Sequence, residues 1–208
     1  MILSLNEVEA MAKKAARGAG YSWGMAEEAG RATRWLCAQS QPGGAALAAL
    51  LTRLDPVDMD ARAPRSLDDW GAGDAPMCPL LAGASFCDAV TLLPDAPLTM
   101  RAVAQPLLLL PFLAQAARQG DTAFSLTFDG VMATTDGQGL DISGNPDAET
   151  VDVVITRSSV TCPDTSGTRA EIDAGDWDTL GRFAHRTYAP ATEASRRLGA
   201  GTDLSDND

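Results

Sequence analysis

Apolar residues recur three and four positions apart toward both ends of the chain and at every second position in its middle. That pattern predicts helices at the ends and a sheet between them. Ser4-Leu5-Asn6-Glu7 has the spacing of a capping box, in which the Ser4 hydroxyl accepts from the Glu7 amide and the Glu7 carboxylate accepts from the Ser4 amide. Val8, Met11, Ala12 and Ala15 then follow helical spacing until Gly18 or Gly20 stops the helix. A second helix is expected over residues 25–38. Met25, Ala29, Ala32, Trp35 and Leu36 lie on its apolar side, and Glu27 and Arg31 are four apart on a wetter one. A third, over 45–54, is terminated by Pro56.

From 55 to 79 the pattern dissolves into Pro, Asp, Gly and Arg, which predicts a long surface connection. Apolar character returns at Cys78-Pro79-Leu80-Leu81-Ala82-Gly83, with a small helix expected over 84–89. Residues 106–119 fit strand or helix, and their length favours helix after Pro111. The strand signal follows. Phe124, Leu126 and Phe128 alternate with Ser125 and Thr127, and Asp129-Gly130 is a hairpin turn. Asp136-Gly137 turns the chain again, and Val151, Val153 and Ile155 resume the alternation. Three or four antiparallel strands with one buried face result, and 168–172 adds an edge strand. Asp176 is expected to cap a helix running to about His185, and Pro190 to open a last one that Gly199 ends. The fold class is therefore α+β, with helices from both ends packed on a central antiparallel sheet. One domain over 1–208 divides into helical 1–54, loop 55–79, mixed 80–120, antiparallel sheet 121–172 and helical 173–208.

Composition narrows the function. A net charge of −12 opposes nucleic acid and anionic membranes, which need clustered Lys and Arg. A small anionic metabolite held by local arginines, or a protein partner, is expected instead. Lys13 and Lys14 are the only lysines and lie on the wet face of the first helix, which disfavours Schiff-base and Ser–Lys chemistry. Cys37, Cys78, Cys87 and Cys162 show no paired ligand spacing, and the single histidine, His185, precludes a His-rich zinc site within one chain. No metal and no cofactor is expected. The N-terminus lacks a basic region followed by an apolar run, which reads as a cytoplasmic protein with reduced cysteines. The apolar stretch 107–117 is broken by Pro111 and too short for a bilayer.

Two segments carry candidate chemistry. Gly18-Ala19-Gly20-Tyr21-Ser22-Trp23-Gly24 looks like a phosphate-binding glycine loop, but a helix precedes it and no βαβ unit surrounds it, so it reads as an elbow between helices. Tyr21 and Trp23 offer aromatic faces there. The second segment is His185-Arg186-Thr187-Tyr188-Ala189-Pro190-Ala191-Thr192-Glu193-Ala194-Ser195-Arg196, the densest run of ionisable groups. Pro190 breaks it, and a break between helices can aim several polar tips at one cavity. His185 or Tyr188 would move protons, Arg186 or Arg196 would fork onto a carboxylate, and Thr192 and Glu193 would line the first turns beyond. The bland alternative is a helical hairpin whose arginines satisfy carbonyls and acidic neighbours.

The chain also resembles an uncharacterised proteobacterial family catalogued only as a domain of unknown function. The resemblance lies in Ser4-Leu5-Asn6-Glu7-Val8-Glu9, in Lys14-Ala15-Ala16-Arg17-Gly18 through Gly24, and in Ala26-Glu27-Glu28-Ala29-Gly30. It recurs at Cys78–Gly83, in Arg186–Arg196 and in the closing Asp206-Asn207-Asp208. It implies no activity, but it implies that both chain ends belong to the family's pattern and that 203–208 docks near the Gly18–Gly24 elbow. The leading expectation is a cytoplasmic protein of small-molecule metabolism holding a carboxylate metabolite between Tyr21–Glu28 and His185–Arg196. If it is an enzyme, it would be a cofactor-independent hydrolase, lyase or isomerase. The alternative is a non-catalytic accessory or assembly subunit of a neighbouring metabolic enzyme.

Overall fold

The computed structural model describes residues 1–188. Its architecture is α+β. The capping box forms as its spacing requires: the Ser4 amide donates to Glu7 Oε2 at 2.8 Å and the Glu7 amide donates to Ser4 Oγ at 3.3 Å. It opens helix α1 (Leu5–Gly18), which buries Leu5, Val8, Ala12, Ala15 and Ala16. Helix α2 (Trp23–Ala38) starts two residues earlier than its apolar spacing suggested, because the Ser22 hydroxyl caps it by accepting from the Met25 amide. The third helix, α3 (Gly43–Leu54), begins at a pair of glycines that pack without side chains against Thr33, Cys37 and Ile172.

The stretch from 55 to 79 holds one single-turn helix, α4 (Met59–Arg62), and is otherwise irregular. Helix α5 (Pro79–Ala89) takes in the apolar run that opens at Cys78. A short 3-10 turn (Pro106–Leu109) leads into α6 (Leu110–Gly120), which settles the ambiguous segment as helix and buries its leucines, Pro111 and Phe112.

The main sheet has five antiparallel strands. In chain order these are β2 (Leu98–Ala104), β3 (Ala123–Phe128), β4 (Val131–Thr135), β5 (Leu140–Ser143) and β6 (Thr150–Ser158), arranged β2-β6-β3-β4-β5. Asp129 and Gly130 both take positive φ, 41° and 75°, the backbone a two-residue hairpin needs. The register places Leu98, Ile155, Leu126, Ala133 and Ile142 in one cross-strand row facing the helices. The opposite row, Thr99, Val154, Thr127, Met132 and Ser143, faces outward.

The segment around Ala170 does not extend this sheet. As β7 (Arg169–Glu171) it pairs with β1 (Ile2–Ser4) in a separate two-stranded ribbon, covering Leu5, Val8, Cys37 and Ile172. The last described helix, α7 (Ala174–His185), is capped by Asp173, whose carboxylate accepts from the Gly175 amide at 2.7 Å, and not by Asp176. The helix expected from Pro190 and the tail expected to dock lie outside the described residues. No described helix is long and apolar enough to cross a membrane.

Candidate functional site

The elbow between α1 and α2 does meet the end of α7. A Cβ on Gly18 would lie 1.8 Å from the Phe183 carbonyl oxygen, so glycine is what allows the two helices to touch. Of the residues gathered there, Tyr21 and Arg186 are engaged by other protein groups, while Trp23, His185 and Tyr188 face solvent. Tyr21 is fully buried, and its hydroxyl lies 3.2 Å from Cys78 Sγ. Burial and the neighbouring thiol push its pKa up, and its ring presents no face to a ligand. Trp23 points the other way, 66% exposed, with the Arg17 guanidinium 4.9 Å from its ring centroid. Arg186 forks onto Asp55, at 2.6 Å and 2.9 Å, and its guanidinium also lies 4.4 Å from the centre of the Phe183 ring. That fork holds the Asp55 carboxyl below the usual carboxylate range. His185 and Tyr188 are both exposed and stack edge to face, their centroids 5.4 Å apart. His185 lines a shallow surface depression with Met11, Trp177 and Arg182. Thr192, Glu193 and Arg196 lie outside the described residues.

A larger concavity lies toward the opposite end of α1. A half-open groove of about 680 Å³ runs between the first turns of α1, one face of α2, the face of α6 and the loop at 166–168. That volume falls within the range of small-molecule sites. Helix α2 contributes Glu28, Arg31, Ala32, Trp35 and Ala38 at helical spacing, with Arg34 beside them. Helix α6 adds Pro111, Phe112, Gln115 and Arg118. Half-buried Trp35 gives the groove an apolar wall, backed by the nearly buried Phe112, and Gln115 adds a neutral polar group.

Three arginines line this groove in a chain whose net charge is −12. Two are matched: Arg31 donates to Glu28 at 2.7 Å, and Arg34 donates to Glu9 at 2.9 Å and to Asn6 Oδ1 at 2.5 Å. Arg118 differs. Among the described residues it meets no carboxylate; one of its N–H groups donates to the Gly137 carbonyl. Gly137 holds φ at +96°, and a Cβ there would lie 2.5 Å from Arg118 Cγ, so the turn between β4 and β5 presses on the arginine stem. The remaining guanidinium donors stay open at the groove wall.

The sequence carried a partial signal for these residues. Trp35 interrupts a charged stripe at helical spacing, which marks a boundary face and not simply core. Arg118 gave no such signal, since its value depends on where α6 lies against α2.

A family model described as "Protein of unknown function (DUF3726)" matches residues 3–73, about the first third of the chain. The motif residues at Ser4–Glu9, Lys14–Gly24 and Ala26–Gly30 lie within that stretch, while Arg118 and the segment from His185 onward lie beyond it. No curated protein and no solved structure matches the chain.

Proposed function

We propose that the protein binds a small carboxylate anion in the groove between α1, α2 and α6. The observation that supports this is the gathering of three arginines around apolar walls in an otherwise acidic chain. Guanidinium groups fork onto carboxylates, and a partly dry wall strengthens that attraction over its value in open water. Among the described residues the groove lining offers arginines, carboxylates, hydroxyls and amides, which suit it to capture and orient the anion. His185, Tyr188 and Arg186 take no part in this site. Titrating a panel of aliphatic and aromatic mono-, di- and tricarboxylates into the protein, read by calorimetry and thermal shift, tests the proposal. At least one member should bind saturably, and Gln115→Trp, which fills the groove from α6, should abolish that binding. Silence across the whole panel would overturn it.

A second reading, an accessory subunit, is supported by exposed Trp23 beside Arg17. Trp and Arg are the residue types enriched where protein partners bind most strongly. Copurification from the native cell of a stable heteromer that Trp23→Ser dissolves would favour it over the first.

A further inference from the structure

Resting on the carboxylate reading, we infer that the groove selects aromatic monocarboxylates, with Arg118 as the fork that takes the carboxylate and the half-buried Trp35 as the surface that takes the ring. Charge sets the first limit. Glu28 neutralises Arg31 and Glu9 neutralises Arg34, so among the described residues the lining presents one guanidinium without a carboxylate partner. One carboxylate on the ligand satisfies it. A second would meet Glu9 or Glu28, and like charge in a confined space is a strong means of rejection. The apolar walls set the second limit. Half-buried Trp35, backed by the nearly buried Leu5, Ala32, Pro111 and Phe112, offers a hydrocarbon face that a short aliphatic acid leaves uncovered and a flat ring covers. Gln115 and Asn6 at the polar margin can meet ring substituents.

Arg118 is suited to this task by its mooring. Its contact with the Gly137 carbonyl fixes the guanidinium without cancelling its charge. The turn that carries Gly137 is itself tied down, because Asp136 accepts from the amides of Gln138 and Gly139, both at 3.0 Å, and of Cys162 at 2.9 Å. Although burial alone would raise the Asp136 pKa, those amides outweigh it and hold the carboxyl ionised. Ligand binding therefore requires little reordering of the arginine, which lowers its entropic cost.

The test uses benzoate and phenylacetate against benzamide, acetate and succinate, titrated into the full chain by calorimetry with tryptophan fluorescence as a second readout. Benzoate or phenylacetate should bind, and benzamide, which has the ring without the charge, should bind at least about tenfold more weakly. Acetate and succinate should fall behind by a similar factor. Arg118→Gln should cost about tenfold or more in benzoate affinity, Arg118→Lys less, and Trp35→Leu should remove the fluorescence change along with most of the affinity. The benzoate–benzamide comparison on the unmodified chain stands even if Arg118→Gln does not fold. Succinate binding in preference to benzoate would overturn the selectivity while leaving the carboxylate reading intact. So would benzoate binding that folded Arg118→Gln leaves unchanged. If no carboxylate binds, both fall together.

Discussion

The end of α7 and the groove beside α2 both offer arginines, aromatic rings and carboxylates, yet the two regions use them differently. At the end of α7, Arg186 finds Asp55, Tyr21 finds Cys78, and His185 and Tyr188 face water. In the groove, two arginines are matched by carboxylates and a third, Arg118, is anchored among the described residues to a backbone carbonyl and to no carboxylate. Crowding along the sequence sends side chains in different directions around a helix. Spacing of three and four sends them to the same side, which is why Glu28, Arg31, Ala32 and Trp35 share a wall and His185 meets Tyr188, while Arg186, next in the chain to His185, turns away onto Asp55. What separates a structural arginine from a ligand-ready one is the partner: a carboxylate uses up the charge, whereas a carbonyl leaves it available.

The sharpest way to break this comparison is at the elbow. Gly18→Ala places a methyl 1.8 Å from the Phe183 carbonyl oxygen and 2.7 Å from its carbon, backbone that can yield only by parting α1 from α7. We expect a loss of about 3 kcal/mol and a fall in Tm of about 6–12 °C. Benzoate affinity, measured at a temperature where the variant is folded, should not change. A Tm within about 2 °C of the parent would mean the two helices are not locked there.

Tyr21→Phe comes next. It removes the hydroxyl that lies 3.2 Å from Cys78 Sγ inside the core, and thiols are weak partners. The expected cost in a denaturant melt is about 1 kcal/mol or less, again with groove affinity untouched. A large drop in carboxylate binding on this change would return Tyr21 to the ligand site and undo the separation of the two regions.

Local features were legible in the chain because their causes are local. Ser4 and Glu7 form their capping box three residues apart, and Asp129-Gly130 takes the positive φ that its residue types tolerate. Strand β2 was not legible. Leu98 and Met100 begin an alternation, but the register shifts between Met100 and Val103, where Ala102 adopts φ of 48° and donates its amide to Asp152. The two-residue period is lost at that bulge. Strand β7 was expected within 168–172, but its partner was not: β1 is three residues long, carries no pattern of its own and pairs with β7 across most of the chain. The same reason hid the groove. Arg118 acquires its role only when α6 lies beside α2 and the Gly137 turn folds onto it, and Arg186 is withdrawn by an aspartate 131 positions away.

The smallest effect is also the most specific. Arg186→Gln breaks the fork onto Asp55, a pair whose side chains are half and three-quarters covered, so Tm should fall by only about 3 °C or less. Its dependence on pH identifies the cause. The Arg186 hydrogen bonds hold the Asp55 carboxyl below its ordinary value of 3.8 in the folded chain. A carboxyl lowered by folding contributes stability above its unfolded pKa and loses that contribution as pH falls through the folded value. The Tm gap between parent and variant should therefore be constant from about pH 7 to about pH 5 and narrow as the pH falls below 3.8 and through the lowered folded value. Salt should narrow it at neutral pH, because both groups reach solvent. A gap that persists in acid would mean Arg186 acts through its packing on the Phe183 ring and not through charge. A loss of benzoate binding in this variant would be more damaging, since it would place the anion at the end of α7 and leave Arg118 as an ordinary surface arginine.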